Sequence, residues 1–233
     1  MGRKKKHVGK LPNKIIVIPN LDKSRDEQWH TKRNMANFPS PFRMIITGGC
    51  GSGKTNTIKN IILRQYPYFD RILLCHLDVY DTEEYLDMGL EEEDLFDKIP
   101  PMSEFDGEGK TLLIIEELEF NTTRGKHNDV SKIFRYYASH KHLSVILSFQ
   151  DFFSVPTICR RVSNIFVCYK TPDKNQLNAI GKKVGLNEKG ELLQLIKEFC
   201  PLQTDSLCFD LTKKTPYPIR KNIFQNIRRM EQE

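Results

Sequence analysis

No apolar run in this chain of 233 residues approaches the ~20 residues that a membrane-spanning helix needs, so no membrane insertion is expected. The N-terminus is basic with no apolar stretch behind it, which argues against a secretory signal. Gly2 follows Met1, but Lys6 stands where a myristoylation motif requires Ser or Thr. Cysteine is present without partners. The six cysteines at 50, 75, 159, 168, 200 and 208 form no C-x-x-C pair and have no histidine at zinc-finger spacing. That pattern points to reduced thiols rather than to a disulfide framework or a metal site. There is one tryptophan, Trp29, either a packing anchor or a surface on which a base can stack. Acid is missing from residues 1–14, which carry Arg3, Lys4, Lys5, Lys6, Lys10 and Lys14. Those six account for the whole net charge of +6. The body is neutral and the arm cationic, as in a segment that touches a polyanion, a solubilising tail or a nuclear-localisation run.

What is present is organised around Phe42 to Thr55. A short apolar strand runs into Gly48-Gly49-Cys50-Gly51-Ser52-Gly53-Lys54-Thr55, which fits the phosphate-loop pattern G-x-x-x-x-G-K-[ST]. The chemistry explains the spacing. Glycines let the backbone curl so that successive N–H groups face phosphate oxygens. The helix that follows, Thr55 to about Gln65, aims its positive end at the same anion. Lys54 is placed to reach the β- and γ-phosphates, and Thr55 to ligate Mg²⁺ through its hydroxyl. Ile58, Ile61 and Ile62 on one face support the helix.

Residues 1–40 read as a basic arm, with a short strand at Leu11 to Pro19 and prolines at 39 and 41 marking its end. Residues 41–212 read as a core of alternating strands and helices. Strands are expected at Arg43 to Thr47, Arg71 to His76, Thr111 to Ile115, Ser144 to Phe149, Asn164 to Tyr169 and Ser206 to Leu211. Helices are expected at 129–140, around 155–162, and from Pro172 to Phe199. The run from Glu83 to Asp97, eight acids with no base, reads as a solvated face and loop. Residues 213–233 read as a basic tail. Apolar runs separated by helices predict an α/β fold: a mostly parallel central sheet flanked by helices. In such sheets, residues at the strand ends converge on one edge, where ligands bind.

That edge should gather the phosphate loop, Glu116-Glu117 and Gln150. A hydrolytic phosphate-loop enzyme needs an acid near Mg²⁺, a group that polarises water, and positive charge on the γ-phosphate. Glu116 is assigned to the Mg²⁺ side and Glu117 to the attacking water. Gln150, ending its strand, is assigned to the γ-phosphate or the water. For the positive charge, Arg124 and Arg135 precede that strand and Arg160 and Arg161 follow it, each a candidate finger into a neighbouring subunit's site. Arg161 is taken into the catalytic set.

The order GGCGSGKT, LLIIEELEF, SHKHLSVILSFQ, VPTICRRVSNIFV resembles the virion DNA-packaging ATPases of large DNA viruses, the poxvirus type, within the FtsK/HerA-like P-loop superfamily. The resemblance covers about residues 38–172. It implies a multimeric ring motor that uses ATP and Mg²⁺ to drive double-stranded DNA into a capsid. It carries over Gly48 to Thr55 as nucleotide loop, Glu116 and Glu117 as acidic pair and Gln150 as sensor. Two positions depart from the family pattern. Glu116 stands where relatives usually have Asp, and Ser139 where they often have arginine. The finger is then left to Arg135, Arg160 or Arg161, with Lys141 as a substitute.

The expected function is therefore Mg²⁺-dependent ATP hydrolysis driving viral DNA packaging, with double-stranded DNA, a homo-oligomeric ring and a capsid or portal protein as partners. The expected location is the host cytoplasm at the site of assembly, the virion, or both. A nucleotide or small-molecule kinase and a non-hydrolytic nucleotide-binding scaffold use the same loop and remain alternatives. If all six charges of the arm contact DNA phosphates, the log–log salt slope of binding carries up to about −5 from the arm alone. Deleting residues 1–14 should then weaken duplex affinity and flatten that slope in a salt titration. Unchanged affinity and slope would remove the arm from the account.

Overall fold

A computed structural model describes residues 38–65, 68–78, 83–86, 90–118, 129–212 and 218–227. Residues 1–37 of the expected arm, with its strand and Trp29, Arg124, and residues 213–217 and 228–233 of the expected tail lie outside these residues. The longer apolar runs become strands because each is covered on both faces, and three short strands extend the sheet at its two ends. The strands are β1 (Arg43–Thr47), β2 (Arg71–His76), β3 (Leu95–Phe96), β4 (Thr111–Glu116), β5 (Leu143–Phe149), β6 (Ile165–Tyr169), β7 (Ser206–Asp210), β8 (Ile219–Lys221) and β9 (Gln225–Asn226). They form one sheet in the order β3-β2-β4-β5-β1-β6-β7-β8-β9. The first six in that order run parallel and the last three antiparallel.

The helices are α1 (Lys54–Arg64), α2 (Glu83–Leu86), α3 (Asp129–Lys132, continuing through a π-helical turn Ile133–Tyr137 into Ala138–His140), α4 (Thr157–Val162), α5 (Lys174–Lys183) and α6 (Glu191–Phe199). Strand residues alternate between the two faces. Met44, Ile46, Ile114, Ile146 and Val167 pack with Ile58 and Ile61 of α1 and with Tyr85 of α2. Ile45, Leu113, Ile115, Leu147 and Phe166 pack on the other face against α3 to α6, through Phe134, Cys159, Leu177 and Ile196.

Three sequence expectations change. The helix expected from Pro172 to Phe199 is broken, because Gly185 and Gly190 take left-handed backbone (φ 85° and 89°) and separate α5 from α6. The acidic run contains an edge strand. In β3, Leu95 and Phe96 pair with Leu74 and Cys75, and exposed acids flank it: Glu91 to Glu93 before and Asp97 after. The core extends past residue 212, because β8 and β9 continue the sheet. A strand reading Ile-Arg-Lys looks like tail in sequence. Its Arg220 is nevertheless buried, bonded to Asp210 at 2.8 Å, with its guanidinium 4.6 Å from the Phe38 ring centroid.

Phe38 also fastens the start of the core to α1. Its N–H donates to Gln65 Oε1 (2.9 Å), and Gln65 Nε2 donates to its carbonyl (2.7 Å). Removing one partner of a buried ion pair strands the other charge. Arg220→Ala should therefore cost about 3–5 kcal/mol in denaturant unfolding, whereas replacing both Arg220 and Asp210 with apolar residues should recover most of it.

Candidate functional site

The register brings the strand ends level. Glu116 of β4 lies opposite His76 of β2 and Ser148 of β5, and Thr47 of β1 lies opposite Phe149 and Cys168. Two bonds lock this edge: Gly48 N–H donates to Phe149 O (3.2 Å) and Glu117 N–H to Ser148 O (3.0 Å). The phosphate loop, the acidic pair and Gln150 thus emerge together, as the strand pattern predicts.

The loop needs its glycines for different reasons. A Cβ on Gly48 would sit 2.6 Å from Ser52 Oγ and 2.7 Å from Tyr169 Cβ, so close packing requires glycine there. Gly51 and Gly53 take φ 68° and 99°, the left-handed region. Gly49, Cys50 and Gly51 form the exposed rim, and Ser52 is buried with no hydrogen-bond partner for Oγ. Gly53 provides no side-chain cap to α1, and the first turn holds no acid. The positive end of an eleven-residue helix is therefore left to an anion bound in the loop. Thr55 is half-buried at that end.

Lys54 folds back over the loop. Its Nζ donates to Gly48 O (2.8 Å) and Gly49 O (3.3 Å) and lies 3.5 Å from Glu117 Oε1. Glu117 reaches it because the residue leaves β4 with φ 51°. Its Oε1 is buried and makes the ion pair without a hydrogen bond. Glu116 faces the opposite way. It is buried on the α1 face of the sheet, where Oε2 accepts a 2.7 Å hydrogen bond from Tyr85. Ser148, on the same face between Ile46 and Glu116, has a buried Oγ without a partner.

Gln150 is exposed beside the loop. Arg161 is not brought to this edge within the chain. It lies exposed on the last turn of α4, just ahead of Asn164, which pairs with Arg43 at the start of β1, and its carbonyl accepts from Lys183 Nζ (2.8 Å). Arg160 instead lies over the Phe152 and Phe153 rings (5.3 and 5.6 Å) and bonds Thr157 Oγ1 (3.0 Å), in the segment that follows Gln150. Lys141 is held by Asp106 O (2.7 Å), and Ser139 accepts a hydrogen bond from the Arg43 guanidinium. Arg135 is exposed on α3.

Tyr169, Tyr85 and Ser148 escape a sequence reading. Tyr169 ends the apolar run of β6 and reads as core. It is 2% exposed, yet its hydroxyl donates to Gly53 O (2.9 Å) and shares a 2.6 Å bond with Thr57 Oγ1. Burial raises its pKa, and the Thr57 bond offsets this in part, so the phenol stays protonated at neutral pH. The cysteines are free thiols. Burial pushes Cys75 and Cys159 up to about 12, and Cys50 alone is exposed.

A parallel sheet whose strand-end edge carries a glycine loop, its lysine and an acidic pair defines a P-loop nucleoside-triphosphate-binding domain. More narrowly, the chain belongs to the Poxvirus A32 protein family, which matches residues 30–208. Among solved structures, it is similar to the DNA-packaging ATPase B204 from Sulfolobus Turreted Icosahedral Virus. That likeness has a TM-score of 0.57 at 19% identity and covers 78% of this chain and 97% of that one. The genome packaging NTPase B204 from Sulfolobus turreted icosahedral virus 2, in complex with AMPPCP, gives 0.54 at 17% identity, covering 79% and 98%. Its complex with sulfate gives 0.56 at 18%, covering 79% and 96%. At these identities the likeness establishes the fold. No curated protein matches the chain by sequence.

Tyr169→Phe removes both hydroxyl bonds while keeping the ring against Gly48. It should raise KM for ATP several-fold with kcat changed less than about twofold, because the loop binds less well but the reacting groups are untouched. A lower Tm with an unchanged KM would mark Tyr169 as merely structural.

Proposed function

We propose that this chain is a Mg²⁺-dependent ATPase that drives double-stranded DNA translocation during viral genome packaging. The observation that carries the reading is the 3.5 Å approach of Glu117 to Lys54. It puts a carboxylate at the place where a lysine of this kind meets the γ-phosphate. Membership of the Poxvirus A32 protein family and the shared fold of the B204 packaging ATPases support the same reading.

The residues divide the work as follows. The loop N–H groups from Gly48 to Thr55 bind the phosphates, and Lys54 turns from the Gly48 and Gly49 carbonyls to the β- and γ-phosphate oxygens. The γ-phosphate then competes with Glu117 for the ammonium, which frees Glu117 to accept a proton from the attacking water. Gln150 orients that water or the γ-phosphate. The donor set fits Mg²⁺, which takes few protein ligands besides phosphates and water. Thr55 and Glu116 would hold it, with the unpartnered hydroxyls of Ser52 and Ser148 nearby to bind phosphate or metal-bound water. When bound, Mg²⁺ neutralises charge on the β- and γ-phosphates.

Arg161, distant from its own loop, acts on the neighbouring nucleotide in a homo-oligomeric ring. Such a ring works with a capsid or portal partner at the cytoplasmic assembly site or in the virion. The basic arm supplies further phosphate contacts to DNA through the six charges of residues 1–14. Glu117→Gln should lower turnover by ~10²–10⁴ while leaving binding of a fluorescent ATP analogue intact. Duplex DNA should stimulate the unmodified protein, and native mass measurement should find a ring. Unchanged turnover in Glu117→Gln would overturn the assignment of the base. A monomer indifferent to DNA would overturn the motor.

A further inference from the structure

Helix α3 has a face that the nucleotide site does not use. Val130, Ile133, Phe134 and Ala138 are buried against the sheet, while Lys132, Arg135, Tyr136 and His140 are exposed on the other side. The π-helical turn Ile133–Tyr137 lies at the centre of this stripe. Its wider turn holds Arg135 and Tyr136 together on the outward face, and insertions of this kind recur at functional sites. Tyr136 is 53% exposed, a large share for an aromatic that sits 5.3 Å from Tyr137 and 4.9 Å from His140, ring to ring. A surface cleft of about 330 Å³ runs beside it, lined by Ser131, Lys132, Arg135 and Tyr136.

The one acid on this face, Asp129, lies 3.4 Å from Lys132 Nζ with both groups exposed. Such a pair is weak and easily exchanged for a phosphate. A guanidinium, an ammonium and a phenol along one edge of a cleft match the oxygens of a nucleic-acid backbone, for which Arg, Lys and Tyr side chains are among the usual donors. The chain position matters too. α3 lies in the chain between Glu116-Glu117 and β5, whose last residue, Phe149, precedes Gln150. A ligand on α3 therefore touches the segment between the two strands that carry the acidic pair and the sensor.

We propose that the outward face of α3 is a contact surface for the phosphate backbone of duplex DNA, made by Lys132, Arg135 and Tyr136. This rests on the packaging reading for the identity of the polyanion. The test uses the full chain with a fluorescent duplex of about 30 base pairs, titrated with salt.

Replacing both Lys132 and Arg135 with Ala should weaken binding ~10-fold and reduce the log–log slope by about 2, one unit for each lost phosphate contact. Tyr136→Ala should weaken binding with little change in slope. Lys197→Ala, which removes an exposed charge on α6, should leave affinity and slope unchanged. Binding and slope unchanged in the double variant, while the unmodified chain binds duplex, would overturn the surface alone. An unmodified chain that fails to bind duplex would overturn the surface together with the packaging reading. An Arg135→Ala variant that loses DNA-free turnover while keeping its DNA slope would make Arg135 an arginine finger and overturn its place here.

Discussion

The site depends on where a single ammonium goes. Lys54 is 11% exposed in its side chain, and a cation withdrawn that far from water needs acceptors around it. Two come from the loop, the carbonyls of Gly48 and Gly49. The third is Glu117, whose left-handed backbone carries its carboxylate to the loop. A non-glycine residue in that region carries strain, which persists only where surrounding contacts hold it. Here the Glu117 N–H bond to Ser148 holds the backbone and the Lys54 contact holds the side chain. The loop and the acidic pair are therefore one electrostatic unit, and any oxygen-rich ligand seated on the loop must compete within it.

The rest of the fold keeps that unit in register. β1, β4 and β5 are neighbours in the sheet, so the three strand ends that carry the loop, the acids and Gln150 differ in height by no more than the ladder allows. Tyr169 braces the loop from the other side, its ring against Gly48 and its hydroxyl on the first turn of α1. Gly48 cannot accept a side chain for the same reason that Tyr169 can act as a brace: the two touch.

The strands could be read from the sequence almost to the residue, because β1, β2, β4, β5 and β6 are apolar runs with turn residues between them, as strands buried on both faces must be. The short strands were hidden. β3 is two residues at the end of an acidic run, and β8 carries an arginine whose partner, Asp210, is known only once the strands are paired. Within the site, the phosphate loop and Glu116-Glu117 were visible as motifs. Their unlike surroundings were not, since a carboxylate bonded to Tyr85 and one paired with Lys54 look the same when written side by side. Tyr169 and Ser148 gave no signal, because their roles arise from distance across the sheet. The arginines show the limit of spacing: Arg160 and Arg161 are adjacent in sequence, yet one side chain lies over the rings after Gln150 while the other residue is exposed, its carbonyl accepting from Lys183.

The paired amide bonds between Phe38 and Gln65 also define a line of force. Gln65 caps α1 at the end away from the phosphate loop. A helix of eleven residues is about 16 Å long and stiff along its axis. Tension applied to the chain at Phe38 would enter the core at the foot of that rod and be felt at its head, where Gly53, Lys54 and Thr55 lie. The Phe38 anchor and the start of the phosphate loop are thus two ends of one mechanical element.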